Sequence, residues 1–306
     1  MKKVELLAPA GSLEKLKVAF DFGADAVYVG GPRLNLRVFA DNFDYEELRE
    51  GVEYAHERNV KVYLVLNAIP RNFDMNGLGE YVKKCESLGV DGVIAADPGV
   101  ISIIKKNTQL EIHLSTQANA MNYETARFWY DYGLKRIILA RELKLKEIEE
   151  FRKHLPEDCE IEVFVHGAMC MAYSGRCLIS NYMTSRDSNK GACSQACRYK
   201  YYLVEEKRPN EYFPVYEDDS GTYIMNSKDL CMIEHIDDVI RSGVSSVKIE
   251  GRMKSVFYLA MVVKMYREAI DAYYADPENF KVDPKWKKNL EKISHRRYST
   301  GFFYGN

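Results

Sequence analysis

Short apolar runs alternate with segments of helical periodicity along most of the chain. The run at Val4–Ala8 ends at a proline, and Ser12 then has the position of a helix N-cap before an amphipathic segment. The pattern predicts eight strands, at Val4–Ala8, Ala26–Val29, Val62–Leu66, Gly92–Ala95, Ile112–Leu114, Ile137–Ala140, Ile161–Val165 and Val247–Ile249. It predicts helices at Leu13–Phe22, Tyr45–Arg58, Leu78–Leu88, Gly99–Lys106, Tyr123–Tyr132, Leu145–His154, Leu230–Ser242 and Phe257–Tyr274.

The predicted strands are mostly unbroken and rich in β-branched residues, which is typical of strands covered on both faces. Eight strand–helix units favour an α/β fold of the (β/α)8 type, a TIM-barrel-like fold, over residues 1–275. A doubly wound open sheet is the alternative, but the chain contains no dinucleotide-binding fingerprint.

An interval of about 60 residues, 167–229, separates the seventh predicted strand from the next predicted helix. It is rich in Gly, Ser, Asn, Tyr and Cys. A structureless loop of this length is uncommon inside a compact domain, so we predict a functional insertion with β structure at Tyr199–Glu205 and Thr222–Met225. In a barrel it would leave the carboxyl end of strand seven, where the active sites of such barrels lie.

The last segment, 276–306, is predicted to be a basic tail that leads to a further C-terminal domain. It carries seven Lys or Arg residues and His295 against Asp283 and Glu291 between positions 281 and 298. This tail and the run Arg198–Tyr202 are candidate contacts for RNA, through phosphates and stacked bases. A solvated helix face and an ordinary strand explain them equally well.

Composition narrows the possibilities further. The 306 residues carry 43 Lys and Arg against 45 Asp and Glu, and this net charge of −2 excludes nucleic-acid binding by bulk charge. No stretch is long and apolar enough for a membrane-spanning helix, and the N-terminus lacks the pattern of a targeting signal. An odd number of cysteines, seven, in a chain of this size indicates a reducing cytoplasm.

Four cysteines are concentrated in the insertion: Cys170, Cys177, Cys193 and Cys197 lie within 28 residues. Thiolates are soft ligands, and four of them can bind zinc or an iron–sulfur cluster. Spacing does not decide between the two. The remaining cysteines, Cys85, Cys159 and Cys231, have the contexts of packing residues.

The segments Glu162–Cys170 and Ser174–Ser180 resemble the signature of peptidase family U32, the collagenase-like proteins. Leu7–Ser12, Gly23–Tyr28 and Val247–Arg252 agree with it. The resemblance implies oxygen-independent hydroxylation, most typically formation of 5-hydroxyuridine at the tRNA wobble position, with a ribosomal RNA cytidine or a ubiquinone precursor as other acceptors. It also implies a 4Fe–4S cluster held by the four cysteines of the insertion, prephenate as the hydroxyl donor, and a partner protein or C-terminal extension.

The barrel hypothesis selects residues at the carboxyl ends of strands as site candidates: Asn67, Asp97, Gln117, Arg141, Glu142, His166, Lys248, Glu250 and Arg252. We expect His166, Glu250 and Lys248 to be catalytic. We expect Asn67, Gln117, Arg141 and Arg252 to bind substrate. The two arginines are suited to a carboxylate substrate because a guanidinium binds carboxylates through bidentate hydrogen bonds. Ion pairs at the barrel rim are the alternative for each. Lys248 and Glu250 alternate about Ile249 and are expected to share one side of the strand, where they could pair.

Proteolysis is the competing function. The sequence has neither a His-Glu-x-x-His zinc motif nor a Gly-x-Ser-x-Gly nucleophile elbow. A dyad of Cys170 and His166 is conceivable, but binding of a cluster by Cys170 would remove its nucleophile role. A binding protein whose insertion is held together by a structural metal ion is a third alternative. Hydroxylation of a tRNA uridine is the favoured prediction.

Overall fold

Eight parallel strands close into a barrel in the computed structural model, which describes residues 3–35, 42–170, 172–199, 202–214, 217–218, 221–222 and 228–305. The barrel strands are β1 (Glu5–Ala10), β2 (Ala26–Gly30), β3 (Lys61–Leu66), β4 (Gly92–Ala95), β5 (Glu111–Leu114), β6 (Arg136–Ile138), β7 (Glu160–Ala168) and β13 (Ser246–Ile249). Each pairs in parallel with its neighbours, and β13 closes the sheet by pairing with both β7 and β1. The predicted (β/α)8 fold is confirmed, and all eight predicted strands are present.

Helices connect the strands and cover the outside of the barrel. They are α1 (Leu13–Asp21), α2 (Tyr45–His56), α3 (Leu78–Ser87), α4 (Pro98–Asn107), α5 (Tyr123–Asp131), α6 (Leu145–His154), α7 (Ile179–Thr184), α8 (Ile236–Arg241), α9 (Val256–Ala275) and α10 (Pro284–Leu290). Side chains cap several of them as the sequence indicates: Ser12 accepts a hydrogen bond from Lys15 N, and Asp97 from Gly99 N and Val100 N. Asp97 is thus a helix cap.

The insertion begins where β7 extends past the barrel rim. The last residues of β7 pair with a short antiparallel strand, β12 (Asp229–Cys231), and β12 also pairs with β14 (Tyr298–Ser299). Between them lie α7, the hairpin β8 (Tyr202–Glu205) and β9 (Arg208–Pro214), and the two-residue strands β10 (Glu217–Asp218) and β11 (Gly221–Thr222). Short 3-10 helices occur at Asn72–Met75, Thr116–Ala118, Tyr173–Gly175, Ser188–Lys190, Ala196–Arg198 and Ile233–His235.

Some boundaries in this region differ from the prediction. The helix predicted over Leu230–Ser242 is β12, a 3-10 turn and then α8, because residues 229–231 are buried against the end of β7. The strand predicted at Tyr199–Glu205 begins at Tyr202. Of the strand predicted at Thr222–Met225, residues 223–225 lie outside the described residues.

The segment predicted as a basic tail, 276–306, packs on the barrel over its described residues 276–305. Trp286, Leu290 and Phe303 are buried in the core. Several of its basic side chains have acidic partners in the structure, as Lys287 has Glu234 at 2.6 Å. Apolar residues at helical spacing among the lysines therefore decide how this segment folds. No helix among the described residues is long and apolar enough to cross a lipid bilayer.

Candidate functional site

A small cavity of about 50 Å³, here the mouth cavity, opens at the carboxyl ends of the barrel strands. Six of the nine strand-end candidates line it: Asn67, Gln117, Arg141, Lys248, Glu250 and Arg252. The other lining residues are Tyr28, Val65, Ile94, Ser115, Thr116, Ile138 and Phe164. The topology therefore brings together polar side chains that are up to 185 positions apart in the chain.

Asn67 and Gln117 form one polar wall of the mouth cavity. The Asn67 amide donates to Gln117 Oε1 at 3.1 Å and to Ser115 Oγ at 3.3 Å, and the Ser115 hydroxyl also donates to Gln117. Asn67 Oδ1 is buried and has no hydrogen-bond partner within the described part of the chain. A buried acceptor without a partner costs free energy, so this atom is suited to a hydrogen-bond donor on a bound molecule.

Arg141 forms another wall of the mouth cavity. Its guanidinium carbon lies 4.0 Å from the centre of the Phe164 ring, and Nη1 donates to Ala168 O at 3.0 Å. Its Nε is buried and, among the residues described, meets no acceptor. The guanidinium is fixed in place and is not paired to any carboxylate in the described structure, which suits it to an anionic group in the cavity.

Lys248 points into the barrel interior, where its Nζ lies 2.9 Å from Glu162 Oε1 and 4.5 Å from the centre of the Tyr28 ring. Burial lowers the pKa of Lys248 and the Glu162 carboxylate opposes that shift. Lys248 and Glu250 both line the mouth cavity, as their alternation about Ile249 predicts, but the carboxylate that pairs with Lys248 is that of Glu162. Glu250 instead accepts a hydrogen bond from the Tyr28 hydroxyl at 3.2 Å.

Arg252 is buried at the rim of the mouth cavity, where it holds the connection between β2 and α2. It donates to Asn35 Oδ1 at 2.7 Å and to Asn42 Oδ1 at 3.0 Å. A side chain at Gly30 would meet this guanidinium at 2.5 Å, so glycine is required there for the close approach. Arg252 thus supports the wall of the cavity in addition to lining it.

All four cysteines of the insertion line a second cavity of about 340 Å³, here the four-cysteine cavity. It lies beside the mouth cavity, since Gln117, Arg141 and Glu250 line both. Each thiol is free and partly exposed. Burial raises the pKa of Cys170, the Arg141 guanidinium opposes this rise, and the thiols of Cys197 and Cys177 add to it.

Four thiols are a donor set that both zinc sites and iron–sulfur clusters use. Among the residues described, no three His, Cys, Asp or Glu side chains are close enough together to hold a single ion. The cysteines that line the cavity are therefore of the right kind and number for either group.

His166 lies outside both cavities. It is fully buried, and its ring centre is 5.5 Å from Tyr266 and Tyr298 and 6.0 Å from Tyr258. Burial lowers the pKa of His166 to about 3, so the ring is neutral at pH 7. The acid–base role of His166 stays a prediction, and the structure places its ring in a packing position outside both cavities. The structure also does not place His166 beside Cys170 in the four-cysteine cavity, as a catalytic dyad requires.

Comparison with known proteins identifies the family. The sequence profile of peptidase family U32 matches residues 11–306. The chain belongs to peptidase family U32. Its resemblance to the U32 signature is thereby confirmed over nearly the whole chain.

Several curated U32 relatives have names that refer to RNA. The chain is 48% identical to tRNA hydroxylation protein P1 of Bacillus subtilis over 99% of its own length and 72% of the relative's. It is 36% identical to tRNA hydroxylation protein P2 of the same organism, over 99% of its own length and 98% of the relative's. Another relative, from Porphyromonas gingivalis, is named collagenase and is 32% identical over 98% of this chain and 73% of that protein.

A solved structure of a U32 peptidase supports the fold assignment. It has a TM-score of 0.51 at 17% identity, and the match covers 81% of this chain and 93% of that one. At this identity the likeness concerns the barrel architecture alone.

Sequence reasoning missed several residues of this U32 site. Ser115 and Thr116 line the mouth cavity, and their position directly after β5 could have indicated it, as it did for Gln117. Glu162 was quoted only within the signature, although a carboxylate in the middle of an apolar strand is a strong sign of a buried partner. Lys254 of the four-cysteine cavity has no such signal, and Arg198, predicted only as a candidate RNA contact, also lines that cavity.

Proposed function

We propose that this protein takes part in the oxygen-independent hydroxylation of tRNA, forming 5-hydroxyuridine at the wobble position. The observation that carries the proposal is the joining of two cavities, one lined by four thiols and one by fixed polar side chains. The names of the relatives at 36% and 48% identity support tRNA as the substrate. The uridine and its position rest on the family resemblance.

The mouth cavity has the chemistry to bind a small carboxylate donor. Arg141 offers Nε to an anionic oxygen, and stacking on Phe164 keeps its guanidinium in one orientation. Asn67 and Gln117 supply the opposite polar wall. We propose a dicarboxylate such as prephenate as the occupant, with its second carboxylate toward Lys248.

Buried charges set the protonation states around this donor. Glu162 holds the Lys248 ammonium at 2.9 Å and favours its charged form. Glu250 lies at the boundary of the two cavities and is hydrogen-bonded by Tyr28 at 3.2 Å. Because it faces both the donor and the thiols, Glu250 is the group we propose to accept or deliver a proton at the reacting oxygen.

Cys170, Cys177, Cys193 and Cys197 would hold a 4Fe–4S cluster in the four-cysteine cavity. A cluster bound there supplies one-electron redox chemistry. The protein's own contribution is to orient the thiols: the amide of Gln195 donates to Cys193 Sγ at 3.3 Å, and Asn189 accepts from Cys177 N at 3.1 Å. Hydrogen bonds to ligand sulfur tune such a group.

Metal analysis of protein purified without oxygen tests the ligand assignment. We expect about four iron and four acid-labile sulfides per chain, with broad absorbance near ~400 nm. Cys170→Ala and Cys197→Ala should lose most of the iron, whereas Cys231→Ala, a buried cysteine outside both cavities, should keep it. One zinc per chain and no iron, or full iron in both ligand variants, would refute the assignment.

Mass spectrometry of tRNA nucleosides tests the activity. A bacterial strain lacking its own tRNA hydroxylation proteins is complemented with this chain, and 5-hydroxyuridine is measured. We expect the wild-type chain to restore it and Arg141→Gln to abolish or strongly reduce it. Cys231→Ala serves as the control for expression and folding. Failure of a well-expressed wild-type chain to restore the nucleoside would contradict the proposal.

Proteolysis is the second candidate, because the family is named for it and one relative is named collagenase. Incubation of the purified protein with gelatin or collagen, with Cys170→Ala as the control, decides this question. Cleavage that depends on Cys170 in iron-free protein would favour the peptidase. We expect no such cleavage, since His166 is neutral, enclosed by tyrosines and absent from the cavity that holds Cys170.

A further inference from the structure

The helix α7 forms part of the wall of the four-cysteine cavity and also carries exposed apolar side chains. Ile179 and Ser180 line the cavity, and Ser180 Oγ accepts from Ser194 N at 2.9 Å. Tyr182 is 92% exposed and Leu178, which precedes the helix, is 75% exposed, with Met183 exposed beside them. Single exposed apolar side chains are ordinary, but three within six residues beside a cavity mark a contact surface.

Positive charge is concentrated in the same segment. Residues 172–199 carry four Lys or Arg side chains, at positions 176, 186, 190 and 198, against one acidic residue, Asp187, and Lys190 pairs with Asp74 at 2.7 Å. The chain as a whole has a net charge of −2, so this excess is local. Arg186 donates to the carbonyls of Ala192 and Cys193, both at 3.2 Å, which fixes a cation beside the cavity wall.

We propose that the outer face of α7, formed by Leu178, Tyr182 and Met183, docks a single-stranded RNA loop and stacks one of its unpaired bases on the Tyr182 ring. This inference rests on the proposed function and identifies the surface that brings the nucleotide to the site. Exposed aromatic rings flanked by cations are the usual means of holding unpaired bases, and the flanking cations contact the phosphates. The surface lies on the same short helix as the cavity wall, so a base neighbouring the docked one is within reach of the cavity.

Binding of an anticodon stem–loop RNA, measured by fluorescence anisotropy on the cluster-loaded protein, tests the inference. Tyr182→Ala should weaken binding roughly 5- to 100-fold, as expected for loss of one stacked base. Tyr182→Phe should bind like the wild type, because stacking needs the ring and not the hydroxyl. Phe128→Ala is the control, because Phe128 is also an exposed aromatic residue but lies on α5 and lines neither cavity. This variant should bind the RNA as the wild type does.

Salt dependence gives a second readout. With three cations on the segment besides the paired Lys190, and about 0.7 counterions released per single-strand phosphate, log Kd should rise with log salt with a slope of at most about 2. A slope near zero would overturn the proposed role of the cations. Iron content of Tyr182→Ala must equal that of the wild type, which separates docking from loss of the cluster.

The outcomes distinguish this inference from the proposed function. If the chain restores 5-hydroxyuridine in cells but Tyr182→Ala binds the stem–loop as tightly as the wild type, the docking surface is wrong and the function stands. If the chain does not restore the nucleoside, the proposed function fails, whatever the binding shows. A wild type that dimerises in analytical ultracentrifugation while Tyr182→Ala stays monomeric would overturn the inference, and would assign the face to a second copy of this chain.

Discussion

Glu162→Gln tests the buried ion pair that we consider central to the barrel interior. Glu162 is fully buried and accepts from Lys248 Nζ at 2.9 Å and from Arg136 Nη1 at 3.0 Å. The variant keeps the shape of the side chain and removes its charge. Arg136 retains Glu5 and Glu160 as partners, whereas Lys248 loses the only ion-pair partner it has in the described structure.

The size of the effect follows from this geometry. At 2.9 Å and an effective dielectric constant of 20, the attraction between Lys248 and Glu162 is about 6 kcal/mol before desolvation is considered. Removal of one partner from a buried pair costs about 3–5 kcal/mol in measured cases. We therefore expect the free energy of unfolding at pH 7 to fall by about 3–5 kcal/mol, which lowers Tm by roughly 5–8 °C for a chain of this length.

The pH dependence makes the prediction specific. Burial raises the pKa of Glu162, but Lys248 and Arg136 hold it below its usual value. As the pH falls through this lowered pKa, Glu162 of the wild type becomes protonated and neutral, and the wild type then no longer differs in charge from the variant. Burial lowers the pKa of Lys248, and loss of the Glu162 charge lowers it further. As the pH rises toward the ordinary lysine range, Lys248 therefore loses its proton in the variant before it does so in the wild type. This relieves the buried charge, and the variant gains stability relative to the wild type. The penalty should therefore be largest near neutral pH and should shrink on both sides.

Urea unfolding followed by circular dichroism, at a series of pH values, measures the penalty. Glu46→Gln, which removes the charge from an exposed pair with Arg49, is the matched control and should change stability by less than about 0.5 kcal/mol. Adding Lys248→Met to Glu162→Gln should recover a large part of the loss, because apolar replacement of a buried pair is often neutral. A penalty below about 1 kcal/mol that does not vary with pH would refute this reasoning.

Three further variants test individual contacts. His166→Phe should keep tRNA hydroxylation in complemented cells within a few-fold of wild type, because the ring packs among tyrosines; a loss of about 100-fold or more would restore an acid–base role. Arg141→Lys should raise the donor concentration needed for half-maximal activity at least tenfold while leaving iron content unchanged, and an unchanged requirement would exclude Arg141 from donor binding. Gly30→Ala should lower Tm by several degrees, since its Cβ would meet the Arg252 guanidinium at 2.5 Å, and a Tm equal to wild type would show that Arg252 moves aside at no cost.

The barrel could be predicted because its strands are apolar on both faces. Runs such as Val62–Leu66 stay buried along their whole length, so composition alone locates them. The packing of the tail on the barrel was not predicted, because its apolar residues, Trp286 and Leu290, are few and stand among lysines. β12 was missed because three residues that pair with the end of β7 carry no periodicity of their own.

The site candidates came from one physical rule, that strand ends meet at one face of a barrel, and six of nine fulfilled it. The rule says where a Cα lies and not what a side chain contacts. Asp97 follows a strand end, yet its carboxylate caps α4. Arg252 lines the mouth cavity and is at the same time held by Asn35 and Asn42, two residues of a distant loop that the sequence does not connect to it.

The position of His166 has a local cause. Strict alternation along paired strands places residues i and i+2 on one face, but the register between β7 and β13 shifts, so that Lys248 pairs with Phe164 and Ile249 with His166. Gly167, with a φ of 107°, lies beside this shift, and a side chain there would come within 2.3 Å of Glu250 O. Phe164 therefore lines the mouth cavity, whereas His166 packs against Tyr266. Lys248 and Glu250 alternate normally about Ile249 and both line the mouth cavity. An irregularity of a single residue thus removes the histidine from the site and leaves the carboxylate in it.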